Sequence, residues 1–135
     1  MSESAEILFT NETFYHVFRT RDLGAMDELW ARRAPVVCAH PGWQALTTRE
    51  AVMESWRGIL SNPDAPPIAC RAPRAYVEGG LGFVVCYEVV GESVLVATNI
   101  FAREDGAWKM VHHQAGPCRA APGEIEAEAP HGPMQ

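Results

Sequence analysis

The sequence predicts an α+β domain in the form of a cone, with three N-terminal helices packed on a strongly bent antiparallel sheet. Two observations support this prediction: residues 5–60 carry apolar side chains at helical spacing, and residues 68–117 form long apolar runs divided by short turns. A third observation comes from the run 83–90, in which both alternating faces are apolar. Both faces of the sheet must therefore be covered, one by the helices and the other by a second subunit.

The helices are predicted from apolar spacing and capping residues. Apolar residues recur at helical spacing near the N-terminus, which predicts a helix over residues 5–20. Asp22 is expected to cap a short second helix. Thr47, followed three residues later by Glu50, is a capping box for a third helix with Trp56 on its inner face.

A brief buried strand is predicted at residues 36–38, before the loop His40-Pro41-Gly42-Trp43. Four long strands are then expected as an antiparallel meander. Their predicted ranges are 68–78, 81–90, 93–103 and 107–115. The domain is expected to occupy residues 1–117, and residues 118–135, rich in Pro, Ala, Gly and Glu, are expected to form a flexible tail.

The composition is typical of a globular protein. The 135 residues are 47% hydrophobic and 21% charged, enough for one domain with its own core. A net charge of −6 without a cluster of Lys and Arg argues against nucleic acid or a membrane as a partner. Because the chain has no bilayer-spanning apolar stretch and no signal peptide, a cytoplasmic location is predicted. The four cysteines lack Cys-x-x-Cys spacing, and neither a metal nor a cofactor is predicted.

Two polar residues, Glu88 and Asn99, interrupt strands that are otherwise apolar. If a two-residue loop at Gly91-Glu92 joins their strands, both side chains face one compartment. Such a pair predicts an apolar pocket with a few convergent polar groups, which suits a small hydrophobic molecule. Alternatively, Glu88 only satisfies buried donors and Asn99 only bonds to neighbouring backbone.

Adjacent histidines lie in the last strand, and only one of them can face inward. A two-residue turn at Asp105-Gly106 puts His112 beside Asn99, whereas a three-residue turn with a glycine bulge puts His113 there. The inward histidine is expected to pair with Glu88 and to move a proton. His112 is a candidate ligand contact if it faces inward, and otherwise belongs to a subunit interface or the core.

Three further candidates surround the loop after the first strand. His40 can serve as a base near neutral pH, or else as a loop or helix-capping residue. Trp43, which follows Pro-Gly, suggests a lid over the pocket. Trp56 suits ligand stacking and core packing about equally.

Several motifs occur in a defined order along the chain. They are Asp22-Leu23, Trp30, His40-Pro41-Gly42-Trp43, Ser55-Trp56, Glu88, Thr98-Asn99-Ile100-Phe101 and residues 105–113. Their order resembles that of the nuclear-transport-factor-2-like superfamily, which includes ketosteroid isomerase, SnoaL-like polyketide cyclases, scytalone dehydratase and the association domain of calmodulin-dependent kinase. Similar members turn through three or four residues before the last strand, which favours His113 as the inward histidine.

The resemblance to ketosteroid isomerase is incomplete. His40 stands where those enzymes carry the aspartate that shuttles the proton. Phe14 stands at the position that resembles their oxyanion tyrosine, and Tyr15 is expected to point elsewhere. Asn99 or Thr98 stands at the position that resembles their protonated aspartate. Both oxyanion donors of that mechanism are therefore missing, and steroid isomerisation is not expected.

Two functions fit these residues. The first is a cofactor-independent isomerase, cyclase or dehydratase that acts by proton transfer on a small hydrophobic carbonyl compound. In it His40 or His113 is the base, with Glu88 as its partner or as the acid. Asn99 would donate to the carbonyl oxygen. The second is a non-catalytic ligand-binding or dimerisation module resembling the kinase association domain, whose pocket arginines are here replaced by Glu88 and Asn99. A homodimer is expected in both cases.

Overall fold

A computed structural model describes residues 1–125. The helices and strands are α1 (Glu3–Thr20), α2 (Leu23–Leu29), β1 (Val37–Ala39), α3 (Arg49–Ser61), β2 (Ala69–Glu78), β3 (Leu81–Val90), β4 (Ser93–Glu104), β5 (Ala107–Pro117) and a short 3₁₀ helix (Pro122–Glu124). The predicted α+β class, with three helices before a curved sheet, is confirmed. Within the described residues, no helix combines the length and apolarity needed to cross a membrane.

The sheet is mixed rather than purely antiparallel. Its strand order is β1-β5-β4-β3-β2, and β2 to β5 form the predicted antiparallel meander. β1, however, pairs in parallel with β5, with Val37 opposite His112 and Cys38 opposite His113. The sequence predicts no partner for β1, and the long connection between the two strands allows their parallel pairing. As a result, His40, just after β1, lies next to the histidine strand.

A bulge in β5 decides which histidine faces inward. The turn before β5 has two residues, Asp105 and Gly106, both with positive φ (54° and 80°), as a tight hairpin requires. The pairing then shifts, because Ile100 lies opposite His112 whereas Phe101 lies opposite Met110. The extra residue between His112 and Met110 places His113 opposite Asn99. His113 is thus the inward histidine, although the bulge is in the strand and not in the turn.

Helix α3 begins one residue later than predicted. Its N-cap is Thr48, whose hydroxyl accepts a hydrogen bond from the backbone N–H of Ala51 at 3.1 Å, so the capping box at Thr47 is wrong. Arg49 in the first turn holds the helix against α2. Its guanidinium donates to the Ala31 carbonyl at 3.0 Å and to the Asp27 carboxylate at 2.9 Å. This anchor sets the position of α3 beside the loop that follows β1.

The core lies between the helices and the inner face of the sheet. Pairing with β4 continues for one residue past the end of β5, because the Cys118 N–H donates to the Val94 carbonyl at 3.0 Å. Residues 124 and 125 lie beside Val85 and Tyr87 on the outer face of the sheet. Of the predicted flexible tail, residues 118–125 belong to the described part of the chain and residues 126–135 lie outside it.

A buried polar chain and an adjacent groove

Five polar side chains form a continuous buried chain between α1 and the sheet. The Tyr15 hydroxyl donates to Oε2 of Glu88 at 2.6 Å and accepts from Nδ2 of Asn99 at 3.2 Å. The same Asn99 nitrogen donates to Oδ1 of Asn11 at 2.8 Å. Because both its hydrogens are used in this way, the Asn99 amide oxygen is the atom that faces Nδ1 of His113, at 2.6 Å. All five side chains are at most 3% exposed.

This arrangement corrects three expectations. Glu88 and His113 do not pair directly, since Tyr15 and Asn99 stand between them. Tyr15 points into the cluster rather than elsewhere. Asn99 has no hydrogen left to donate to a ligand carbonyl. The signal for Tyr15 was available: Asn11 and Tyr15 lie four residues apart on the same inward stripe of α1.

The charges of this chain are set by burial. Burial raises the pKa of Glu88, and the hydrogen bond from Tyr15 opposes that rise. Burial also raises the pKa of Tyr15, as do the nearby Cys86 and Glu88 groups, so the phenol keeps its proton. Burial, followed by the charges of His40 and His112, lowers the pKa of His113 to about 3. His113 is therefore a neutral imidazole that donates from Nδ1.

His40 forms a second polar pair, with Ser55 of α3. Its Nε2 lies 2.9 Å from the Ser55 hydroxyl oxygen, and that hydroxyl donates its single hydrogen to the Val52 carbonyl at 2.7 Å. Nε2 of His40 therefore carries the hydrogen, and Nδ1 is an acceptor. Burial lowers the pKa of His40 to about 4. Its ring lies between those of Trp43 and Trp56, 4.8 Å from each centroid.

A groove of about 560 Å³ runs along the outer side of this pair. We call it the α3 groove; its lining residues are Trp43, Leu46, Ala51, Glu54, Ser55, Gly58, Ile59 and Asn62. Ser55 connects it to His40, and Trp43, which is 50% exposed, forms one wall. At Gly58, a Cβ atom would meet no atom within 4 Å, so this glycine leaves the groove open. Most of the lining is apolar, as in sites for small organic molecules.

The family model for the SnoaL-like domain matches residues 7–118. The chain belongs to the SnoaL-like domain family.

Solved structures agree with this assignment. A protein of the nuclear-transport-factor-2-like family from Streptomyces avermitilis, proposed to be a dehydratase, superposes with a TM-score of 0.79 and 27% identity, over 87% of this chain and 97% of that one. A proposed calcium/calmodulin-dependent protein kinase type II association domain from Thiobacillus denitrificans gives 0.72 and 27%, over 82% and 93%. A Caulobacter vibrioides protein with a cystatin-like fold shares that fold at a TM-score of 0.77 with 10% identity, over 87% and 92%.

A curated relative is the F-box protein SKIP8 of Arabidopsis thaliana. It is 26% identical over 111 residues, which make up 81% of this chain and 48% of the relative. This SnoaL-like domain therefore spans about half the length of that protein.

The predicted site residues lie in three different parts of the SnoaL-like domain. Trp43 lines the α3 groove, and His40 and Trp56 are buried behind it, with Ser55 between His40 and the groove. Glu88, Asn99 and His113 belong to the buried polar chain. His112 points to the opposite face of the sheet and does not contribute to either group.

Sequence reasoning missed the residues that build the groove, above all Ser55 and Gly58. A glycine in the middle of a helix costs stability, which is a signal that the site needs space there. Among residues 1–125, no group of three His, Cys, Asp or Glu side chains is arranged to hold a metal ion.

Proposed function

We propose that this SnoaL-like domain binds a small, mostly apolar carbonyl compound in the α3 groove and transfers a proton on it without a cofactor, with His40 as the base. One observation carries the proposal. His40 is a neutral imidazole, held at Nε2 by a serine that lines the groove, so that Nδ1 remains to accept a proton. A base oriented by a fixed partner is the usual arrangement for proton transfer in proteins.

The lowered pKa of His40 has two consequences for this chemistry. At neutral pH the imidazole is always in the form that accepts a proton. The imidazolium that it forms is unstable in the buried site, so the proton is passed on quickly rather than retained. The dehydratase proposed for the Streptomyces avermitilis structure supports this reading, because loss of water beside a carbonyl group also begins with removal of a proton.

The experiment uses acetophenone as a probe in D2O. Proton transfer replaces its methyl hydrogens by deuterium, and proton NMR follows the loss of the methyl signal. We expect the domain to accelerate this exchange and His40→Gln to abolish the acceleration, whereas His16→Gln, at an exposed histidine of α1, leaves it unchanged. Because only neutral His40 accepts a proton, the rate is expected to stay constant above about pH 6 and to fall as the pH drops through about 4. A rate that rises through neutral pH would contradict His40 as the base.

The location of the site is tested separately at Gly58. Gly58→Leu places a side chain in the open space of the α3 groove, and we expect it to remove probe binding and exchange while the fold is kept. Gly58→Ala is the matched control, since it adds little volume and stabilises the helix by about 1 kcal/mol. Equal exchange rates in the two variants would place the site elsewhere.

A non-catalytic module is the second candidate function. It is favoured by the polar chain, whose members Tyr15, Glu88, Asn99 and His113 satisfy one another and are sealed from the groove. It is also favoured by the similarity to the proposed kinase association domain from Thiobacillus denitrificans. Probe binding in the α3 groove without exchange would select this function.

We also propose a homodimer formed through the outer face of the sheet. Tyr76 and Val96 are 46% and 36% exposed there, next to the half-buried Phe83 and Ile100. Sedimentation at micromolar concentration is expected to show one dimeric species. Val96→Lys should shift it towards monomer, whereas Ser93→Lys, at the exposed first residue of β4, should not. A monomeric wild-type protein would overturn this proposal.

A further inference from the structure

One buried donor next to His40 has no acceptor. Nε1 of Trp56 is inaccessible to solvent, and no hydrogen-bond partner lies near it within residues 1–125. Such a group loses its bond to water without replacement, which is costly, and in folded proteins it usually indicates a bound water or ligand. The Trp56 ring packs against His40 at 4.8 Å and His113 at 6.0 Å between centroids.

We propose that the Trp56 indole N–H donates a hydrogen bond to the carbonyl oxygen of the bound compound, where negative charge develops during proton transfer. This inference rests on the proposed function, in which His40 is the base. Trp56 then takes the role that the sequence assigns to Asn99.

The donors of the buried polar chain and of Ser55 are already committed. The Tyr15 hydroxyl donates to Glu88, and both hydrogens of Asn99 are used by Asn11 and Tyr15. The Ser55 hydroxyl donates to the Val52 carbonyl. Within the described part of the chain, the N–H of Trp56 is thus a buried donor packed against His40 that a carbonyl group can engage without breaking an existing hydrogen bond.

Access to this donor runs past Trp43. Ser55, which precedes Trp56, lines the α3 groove, and the His40 ring separates Trp56 from Trp43. Trp43 sits at the end of a turn in which its N–H donates to the His40 carbonyl at 2.8 Å and Gly42 has φ 83°. Because half of the Trp43 side chain is exposed, its rotation away from His40 breaks few contacts.

In the proposed step, His40 takes the proton and Trp56 stabilises the negative charge. A C–H bond next to the carbonyl group breaks, and its proton moves to Nδ1 of His40. The electron pair forms a carbon–carbon double bond, and the carbonyl π electrons move onto oxygen. The resulting oxyanion accepts the hydrogen bond from Trp56, and return of a proton from His40 to carbon or oxygen completes the reaction.

Trp30 provides a matched control. Its Nε1 is also buried and also lacks a partner among residues 1–125. It lies beside Met110 in the core, however, and its ring packs against neither histidine in the described structure. If loss of any buried indole N–H slows the exchange, Trp56→Phe and Trp30→Phe should both slow it. If the slowing requires contact with the ligand, only Trp56→Phe should slow it.

The test compares acetophenone with α-methylstyrene, which has the same shape but carries a methylene group instead of the carbonyl oxygen. In proton–nitrogen NMR spectra of the wild-type domain, we expect the Trp56 indole signal to move downfield with acetophenone and to stay in place with α-methylstyrene. Trp56→Phe is expected to slow the deuterium exchange of acetophenone about a hundredfold, and Trp30→Phe to leave it unchanged. The spectra use the wild-type domain, so they test the hydrogen bond from Trp56 to the carbonyl oxygen even if Trp56→Phe does not fold.

The outcomes separate this inference from the proposed function. If acetophenone shifts the Trp43 signal and exchanges its methyl hydrogens while the Trp56 signal stays in place, the Trp56 inference is wrong and the proposed function stands. If neither probe moves the Trp43 signal and no exchange occurs, the proposed function fails, and the inference fails with it.

Discussion

Tyr15→Phe is expected to lower the free energy of unfolding by about 2–3 kcal/mol at neutral pH. The hydroxyl is the hydrogen-bond donor to Glu88 and an acceptor for Asn99, and all three groups are buried. Without it, a buried carboxylate and a buried amide hydrogen lose their partner. Chemical denaturation measures the loss. Tyr87→Phe, on the outer face of β3, is the matched control and should change stability by less than about 0.5 kcal/mol.

The pH dependence of this loss follows from the pKa of Glu88. Burial raises this pKa in the folded protein above its usual value of 4.5. The folded state then binds more protons than the unfolded state, so stability falls as the pH rises above 4.5 and through the folded pKa. Tyr15→Phe raises the pKa further, so its destabilisation should be larger at neutral pH than below 4.5. Glu88→Gln in the same background should recover part of the loss at neutral pH. An equal loss at both pH values would show that the hydroxyl does not stabilise the carboxylate charge.

Gly82→Ala is expected to cost about 2–3 kcal/mol of unfolding free energy, because it forces a side chain into a filled space. A Cβ at Gly82 would lie 2.7 Å from Cγ1 of Ile7, a fully buried residue of α1. Either the Ile7 side chain changes rotamer or the helix moves away from β3, and a movement of the helix also separates Tyr15 from Glu88. Thermal and chemical denaturation report the stability, and a further rise in the Glu88 pKa reports the loss of the Tyr15 hydrogen bond.

A double-variant cycle isolates this contact. Ile7→Ala removes the atoms that a Cβ at Gly82 would meet, so the double variant should lose less stability than the sum of the two single variants. Gly80→Ala, in the turn before β3, is the control, since its Cβ would meet nothing within 4 Å. Additive losses in the cycle would mean that Ile7 does not limit the space at Gly82.

Strand limits that are set by residues adjacent in the sequence could be predicted. The turns with Gly-Gly and Gly91-Glu92 set the limits of β3, which the structure places at Leu81–Val90 as predicted. The parallel pairing of β1 could not be predicted, because a three-residue strand has too little pattern to identify a distant partner. The cap of α3 was predicted one residue too early, because the spacing of Thr47 and Glu50 matches a capping box although the adjacent Thr48 is the N-cap.

The candidate site was predicted in part. The loop at Gly91-Glu92 correctly places Glu88 and Asn99 on one inward face, because a two-residue hairpin loop determines register. Tyr15 was missed because Phe14 was placed at the inward position and its neighbour was expected to point elsewhere, whereas both side chains are buried. The α3 groove was missed because it depends on the distance between a helix and a loop, which the sequence does not encode locally.

The neighbouring histidines have a consequence for how this domain tolerates insertions and deletions. The bulge in β5 selects His113, and a strand that paired regularly at this point would turn His112 inward instead. An imidazole therefore reaches the interior next to Asn99 in either register. A gain of one residue in the β4–β5 hairpin puts His112 opposite Asn99, and a loss of one residue that removes the bulge leaves His113 there.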